Sequence, residues 1–102
     1  MSRLHLISDS FETQTLAQKS ERYLEKNDSV LLIADGVLMG LQQHIVQSLL
    51  DTSDNCYLLD QDCRCRGISL LLGKQPNGGR LKLISYETMV DLCARSEQVI
   101  AW

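Results

Sequence analysis

The sequence predicts an α/β domain built on a mostly parallel sheet of about five strands with helices on both faces. Two observations carry this. Short apolar runs alternate with amphipathic stretches along the whole chain, and Val30-Leu31-Leu32-Ile33-Ala34 is apolar at every position. A run with no polar alternation suits a central parallel strand covered on both sides. At 102 residues the chain is expected to form one domain. A chain of this length buries only roughly 60–70% of its unfolded surface, so its core is thin.

In chain order, Leu4 to Ile7 is a short strand. Ser8-Asp9-Ser10 follows as cap chemistry, with Asp9 and Glu12 spaced like a capping box, and a helix with a weak apolar face (Phe11, Leu16, Tyr23, Leu24) runs to about Lys26. Asn27-Asp28-Ser29 is a turn before the Val30–Ala34 strand, which Asp35-Gly36 ends. Leu38, Leu41, Ile45 and Leu49 then recur at helical spacing and predict one helix. After a loop from Asp51 to Asn55, Cys56 to Leu59 is a third strand. Asp60 to Arg66 suits a short helix closed by Gly67 in a left-handed cap, and Ile68 to Leu72 fits either a helix or a strand. Gly73 to Gly79 reads as a loop and Arg80 to Ile84 as a fourth strand. Ser85 caps a helix whose face is Tyr86, Met89, Val90 and Cys93, and Gln98 to Ala101 is a short fifth strand. Four helices cover two faces sparingly, so exposed apolar helix surface and association with other chains are expected.

The formal charge is −3, from 10 basic and 13 acidic residues. That balance argues against a chain that grips nucleic acid by itself. No window approaches the ~18 apolar residues of a membrane span. The first residues, Met1 to His5, lack an apolar signal core, and Asp9, Glu12 and Lys19 arrive early. A cytoplasmic protein is therefore expected, and Cys56, Cys63, Cys65 and Cys93 should be thiols rather than bridges.

Cys63-Arg64-Cys65 is the clearest chemical candidate. Arg64 and Arg66 would lower the pKa of both thiols, and thiolate is the reactive form. The spacing is C-x-C rather than the C-x-x-C of redox and zinc sites, and His5, His44, Cys56 and Cys93 lie on separate elements, so no metal site is expected. Cys56 and Cys93 read as core. Lys74-Gln75 after Gly73 lacks both the glycine spacing and the Ser or Thr of a phosphate loop. His44 reads as a half-buried or interface residue, and His5 has no nearby nucleophile to activate. Asp35 and Gly36 stand at the carboxyl end of the sheet, where α/β proteins place ligands, although Asp-Gly is also ordinary turn chemistry. Tyr86, Met89 and Trp102 belong either to the core or to an interface with a partner.

Several segments in order resemble the DsrH/TusB family of sulfur-relay subunits. They are the apolar strand into Asp35-Gly36-Val37, Tyr57-Leu58-Leu59-Asp60 through Asp62 to Arg66-Gly67, the helix Tyr86-x-x-Met89-Val90-x-Leu92, and Ala101-Trp102. The resemblance implies a three-layer α/β/α fold. It also implies assembly with TusC/DsrF-like and TusD/DsrE-like subunits into a dimer of heterotrimers. In that relay persulfide sulfur arrives from a TusA-like donor and leaves to a TusE-like acceptor. In the TusB branch it is destined for the 2-thio group of wobble uridine in tRNA. DsrH proteins of sulfur oxidisers carry a cysteine late in the first helix, where this chain has Lys19-Ser20. The acceptor cysteine of the family lies on the TusD-type partner. The resemblance thus implies a TusB-type, non-catalytic subunit without cofactor or metal, which touches neither nucleic acid nor membrane itself. Exposed apolar surface would favour a homodimer when partners are absent. The alternatives are a DsrH-type subunit of dissimilatory sulfur oxidation, a direct persulfide sulfurtransferase using Cys63 or Cys65, and a flavodoxin-like module binding a small anion near Asp35-Gly36.

Overall fold

A computed structural model describes residues 3–53, 55–73 and 81–102. The strands are β1 (Arg3–Ile7), β2 (Ser29–Leu32), β3 (Asn55–Leu59), β4 (Lys82–Ile84) and β5 (Gln98–Ala101). They form one five-stranded sheet in the order β4-β3-β2-β1-β5, and every pair is parallel. The α/β class and the five strands expected from alternation are both present. Apart from Gly73, the expected loop from Gly73 to Gly79 and the Lys74-Gln75 reading lie outside the described residues, as does Arg80.

The strand order explains the layers. From β1 to β4 each strand adds on the same side of its predecessor, and right-handed crossovers keep those connections on one face. The chain then returns to the far side of β1, which sends its last helix across the opposite face. The helices on the first face are α1 (Thr13–Tyr23), a 3-10 helix (Ala34–Leu41), α2 (Gln43–Thr52), α3 (Asp60–Cys65) and α4 (Ser69–Gly73). Leu16, Met39, Ile45, Leu49, Cys63 and Leu72 from these helices pack there against Ile7, Val30, Leu32 and Leu58. Among the described residues, the second face is covered by α5 (Tyr86–Arg95), with Met89, Leu92 and Cys93 against Leu4, Leu31 and Ile84. In β2, Val30 and Leu32 serve the first face and Leu31 the second, which is why that run is apolar throughout.

Three local expectations change. The helix expected from Leu38 to Leu49 is two pieces, a tight 3-10 turn and then α2. The tight turn fits close backbone packing, because a side chain on Gly36 would overlap the Ile7 carbonyl oxygen. Helix α1 begins at Thr13, and its N-cap Glu12 makes no side-chain cap bond, so the Asp9–Glu12 box does not form. Residues 8–12 instead cross the end of β1, where the Ser8 carbonyl accepts the Gly36 N–H at 3.2 Å. On α5 the sheet-facing row is Met89, Leu92 and Cys93, while Tyr86 and Val90 are exposed. The expected face of Tyr86, Met89, Val90 and Cys93 is thus rotated, because packing on the sheet takes Leu92 in place of Tyr86 and Val90. Other local readings hold: Gly67 adopts φ +66°, and the Ser85 hydroxyl accepts the Thr88 N–H at 3.2 Å.

Candidate functional site

The carboxyl ends of β2 and β3 carry the most connected polar cluster among the sequence candidates. Ala34 leaves β2 with φ +49°, a left-handed conformation that a non-glycine residue adopts at a cost of roughly 1 kcal/mol. Its N–H donates to Asp62 Oδ2 at 2.7 Å. The next residue, Asp35, receives Arg66 Nε at 3.1 Å and Nη2 at 3.0 Å on one carboxylate oxygen. Arg66 Nη1 also donates to the Asp62 carbonyl at 3.3 Å. Helix α3 is thereby tied across the strand end to Ala34 and Asp35. Asp35, Gly36, Asp62 and Arg66 therefore come together, with the one guanidinium of Arg66 shared between the carboxylates of Asp35 and Asp62.

This arrangement changes the reading of the C-x-C pair. Arg64 Nε donates to Asp60 at 3.0 Å, and Arg66 is committed to Asp35, so neither arginine is a free cation beside the thiols. Cys63 is buried in the main core. Burial, with Asp60 and Asp62 adding to it and Arg66 opposing, pushes its thiol up to about 11, the reverse of the expected lowering. Burial likewise pushes Cys56 up to about 12, so both are protonated thiols at neutral pH. Cys93 is half-buried on the sheet-facing side of α5, and Cys65 is exposed. At neutral pH in the folded protein, an alkylating reagent should modify Cys65 rapidly and leave Cys56 and Cys63 intact until denaturant is added. Peptide mass mapping reads this directly, and equal modification of Cys63 and Cys65 would contradict the burial.

The remaining candidates separate. Tyr86 borders an open groove of about 530 Å³ with Asp60, Gln61, Arg64, Ser85 and Glu87. Met89 faces the sheet. His44 Nε2 lies 2.7 Å from the Thr13 hydroxyl, joining the starts of α2 and α1. Ser20, in the stretch where sulfur oxidisers carry cysteine, is buried on α1 with no hydrogen-bond partner for its hydroxyl. Lys19 beside it lies 5.2 Å over the Phe11 ring. Among the described residues, no three His, Cys, Asp or Glu side chains gather at a metal position, and no helix is long and apolar enough to cross a membrane.

Sequence reasoning missed one cluster. Trp102 Nε1–H donates to His5 Nδ1 at 2.9 Å, so the other ring nitrogen carries the hydrogen and donates to Asp28 Oδ2 at 2.8 Å. Arg3 donates to both oxygens of Asp28, at 3.1 and 2.7 Å, and the Glu25 N–H adds a third donor at 3.0 Å. Phe11 and Tyr23 flank the indole ring. The cluster packs Trp102 against β1 and places it with the core of this chain. The available signal was Arg3 and His5 two residues apart on one strand face, with an acidic turn residue to receive both.

Comparison with known proteins adds the decisive observation. The family model described as DsrH like protein matches residues 9–99, from the loop after β1 into β5. The chain belongs to the DsrH-like family. Protein TusB of Erwinia tasmaniensis is 34% identical over 82 residues, covering 79% of this chain and 81% of that protein. Protein TusB of Yersinia pestis and of Yersinia pseudotuberculosis are each 33% identical over the same coverage. The crystal structure of the ychN protein from E. coli superposes with a TM-score of 0.70 at 14% identity, over 100% of both chains. That likeness shows a shared α/β fold. The stretch matched to this DsrH-like family includes the Asp35–Arg66 tie, the C-x-C pair and all of α5.

Proposed function

We propose that this DsrH-like chain is a non-catalytic, docking subunit of a TusBCD-type sulfur relay that serves 2-thiolation of wobble uridine in tRNA. The observation that carries the reading is its 33–34% identity to TusB proteins across 79% of the chain. The thiols support it. Persulfide transfer needs a reachable thiolate. Cys56 and Cys63 are sealed in the core, and the arginines near Cys65 are already paired. The subunit's part is then to bury apolar surface against TusC/DsrF-like and TusD/DsrE-like chains in a dimer of heterotrimers. It helps shape the faces that receive a TusA-like donor and a TusE-like acceptor.

The exposure of Cys65 favours one second reading, direct sulfur transfer through that thiol. One experiment separates the two. Cells deleted for the gene are complemented with wild type or with a Cys63→Ala/Cys65→Ser protein, alanine being chosen because Cys63 lies in the core. The relay reading expects loss of tRNA 2-thiouridine on deletion and full rescue by the double variant. Loss without rescue, with the variant folded and abundant, places a thiol of this chain in the sulfur path. Unchanged 2-thiouridine on deletion removes the tRNA pathway.

A further inference from the structure

We propose that the open flank of α5 is a self-complementary surface on which a second copy of this chain packs, antiparallel and related by a two-fold axis. Helix α5 turns Met89, Leu92 and Cys93 to the sheet, yet none of its residues is fully buried. What it leaves to solvent is ordered. Tyr86, Val90 and Ala94 recur at four-residue steps and form one apolar row along the helix, with Tyr86 45% and Val90 63% exposed. Beside it runs a second row at the same steps, Glu87, Asp91 and Arg95, all exposed.

Each row matches its own reversal, the first about Val90 and the second about Asp91 one residue on, so a single axis between these two positions serves both. An antiparallel copy sets the large Tyr86 against the small Ala94 of its mate and Val90 against Val90. The neighbouring row then sets Glu87 against Arg95 at both ends. Asp91 meets its counterpart near the axis, where Arg95 of its own chain already holds it at 3.3 Å. A surface that matches its own reversal in both size and charge is what a two-fold interface requires. The mix of charges in the second row gives a single-sign partner such as nucleic acid nothing to read.

The helix has 10 residues. Its flank falls well short of the about 800 Å² per partner of a standard interface, so the pairing is weak and reversible. It involves this chain alone and does not depend on the relay reading.

Sedimentation of the isolated full chain from micromolar to millimolar concentration tests it. The expected result is a mass that climbs from monomer towards dimer. Val90→Lys should abolish the dimer while leaving the circular dichroism spectrum unchanged, since Val90 is mostly exposed. Glu87→Arg and Arg95→Glu should each weaken association about three- to tenfold. Their combination should restore it, because opposite charges meet again and the new arginine at 87 takes over Asp91. A monomer at every concentration overturns the proposal. So does a dimer indifferent to Val90→Lys, or a double variant no better than either single one.

Discussion

Asp28→Ala is expected to cost about 3 kcal/mol of folding stability, the lower end of what removing one partner of a buried ion pair costs. Asp28 is 2% exposed and receives Arg3, His5 and the Glu25 N–H. Without it the His5 donor is stranded in a fully buried position, while Trp102 still needs the other nitrogen of the same ring. Arg3 keeps some access to water and lies 3.8 Å from Glu25, which is why the lower end applies. For a domain of this size the melting temperature should fall by roughly 12–24 °C.

The same carboxylate gives a pH signature. Burial alone would raise the Asp28 pKa, but the hydrogen bonds from Arg3, Glu25 and His5, with the Arg3 charge, outweigh it and hold the pKa below the ordinary 3.8. A depressed folded-state pKa contributes stability that is complete above the unfolded value. That stability is lost as pH falls from about 4 through the folded value. The wild type should therefore lose stability to denaturant in this acid range, and Asp28→Asn should start lower and show a shallower acid decline. Equal slopes for the two proteins would show that Asp28 is not held this way.

Gly36→Ala is expected to cost about 3 kcal/mol or more, or to prevent folding. The added methyl would overlap the carbonyl oxygen and carbon of Ile7 at the end of β1, and backbone atoms in the sheet have nowhere to go. The Gly36 N–H is also anchored to the Ile33 carbonyl at 2.8 Å, which pins the turn in place. Gly40→Ala is the control. Its methyl would meet Leu58 Cδ2 and Leu72 Cδ2, each at 2.9 Å, and these are free ends of side chains that can turn aside. It should cost about 1 kcal/mol. Urea denaturation of the pair reads the difference, and equal losses would mean that the approach of the 3-10 turn to β1 is looser than described.

These two predictions rest on features of very different legibility. Gly36 stood out in the sequence as half of an Asp-Gly turn after a buried strand, although its reason is a close approach to β1 rather than turn conformation. Asp28 looked like an ordinary turn residue in Asn27-Asp28-Ser29. Its partners are 23 and 25 residues away, and the ring that completes the cluster comes from Trp102. The C-x-C pair was legible as a motif but not as chemistry. The arginines that flank it in sequence spend their charge on Asp60 and Asp35, and one of its thiols points into the core.

The sequence by itself determined where the strands run, the short helix closed by Gly67, the Ser85 cap and the family, because each depends on residues within a few positions or on a matched pattern. Only the tertiary structure decided the strand order, the split of the 34–52 region into a 3-10 turn and α2, and the choice of Met89, Leu92 and Cys93 as the buried row of α5. It also decided the joining of His5 to Trp102 across 97 residues. Local periodicity records that a face is apolar but not what will cover it. That is settled by which surfaces meet when the chain crosses back over the sheet, and here the return of β5 beyond β1 sends α5 across the face opposite the other described helices.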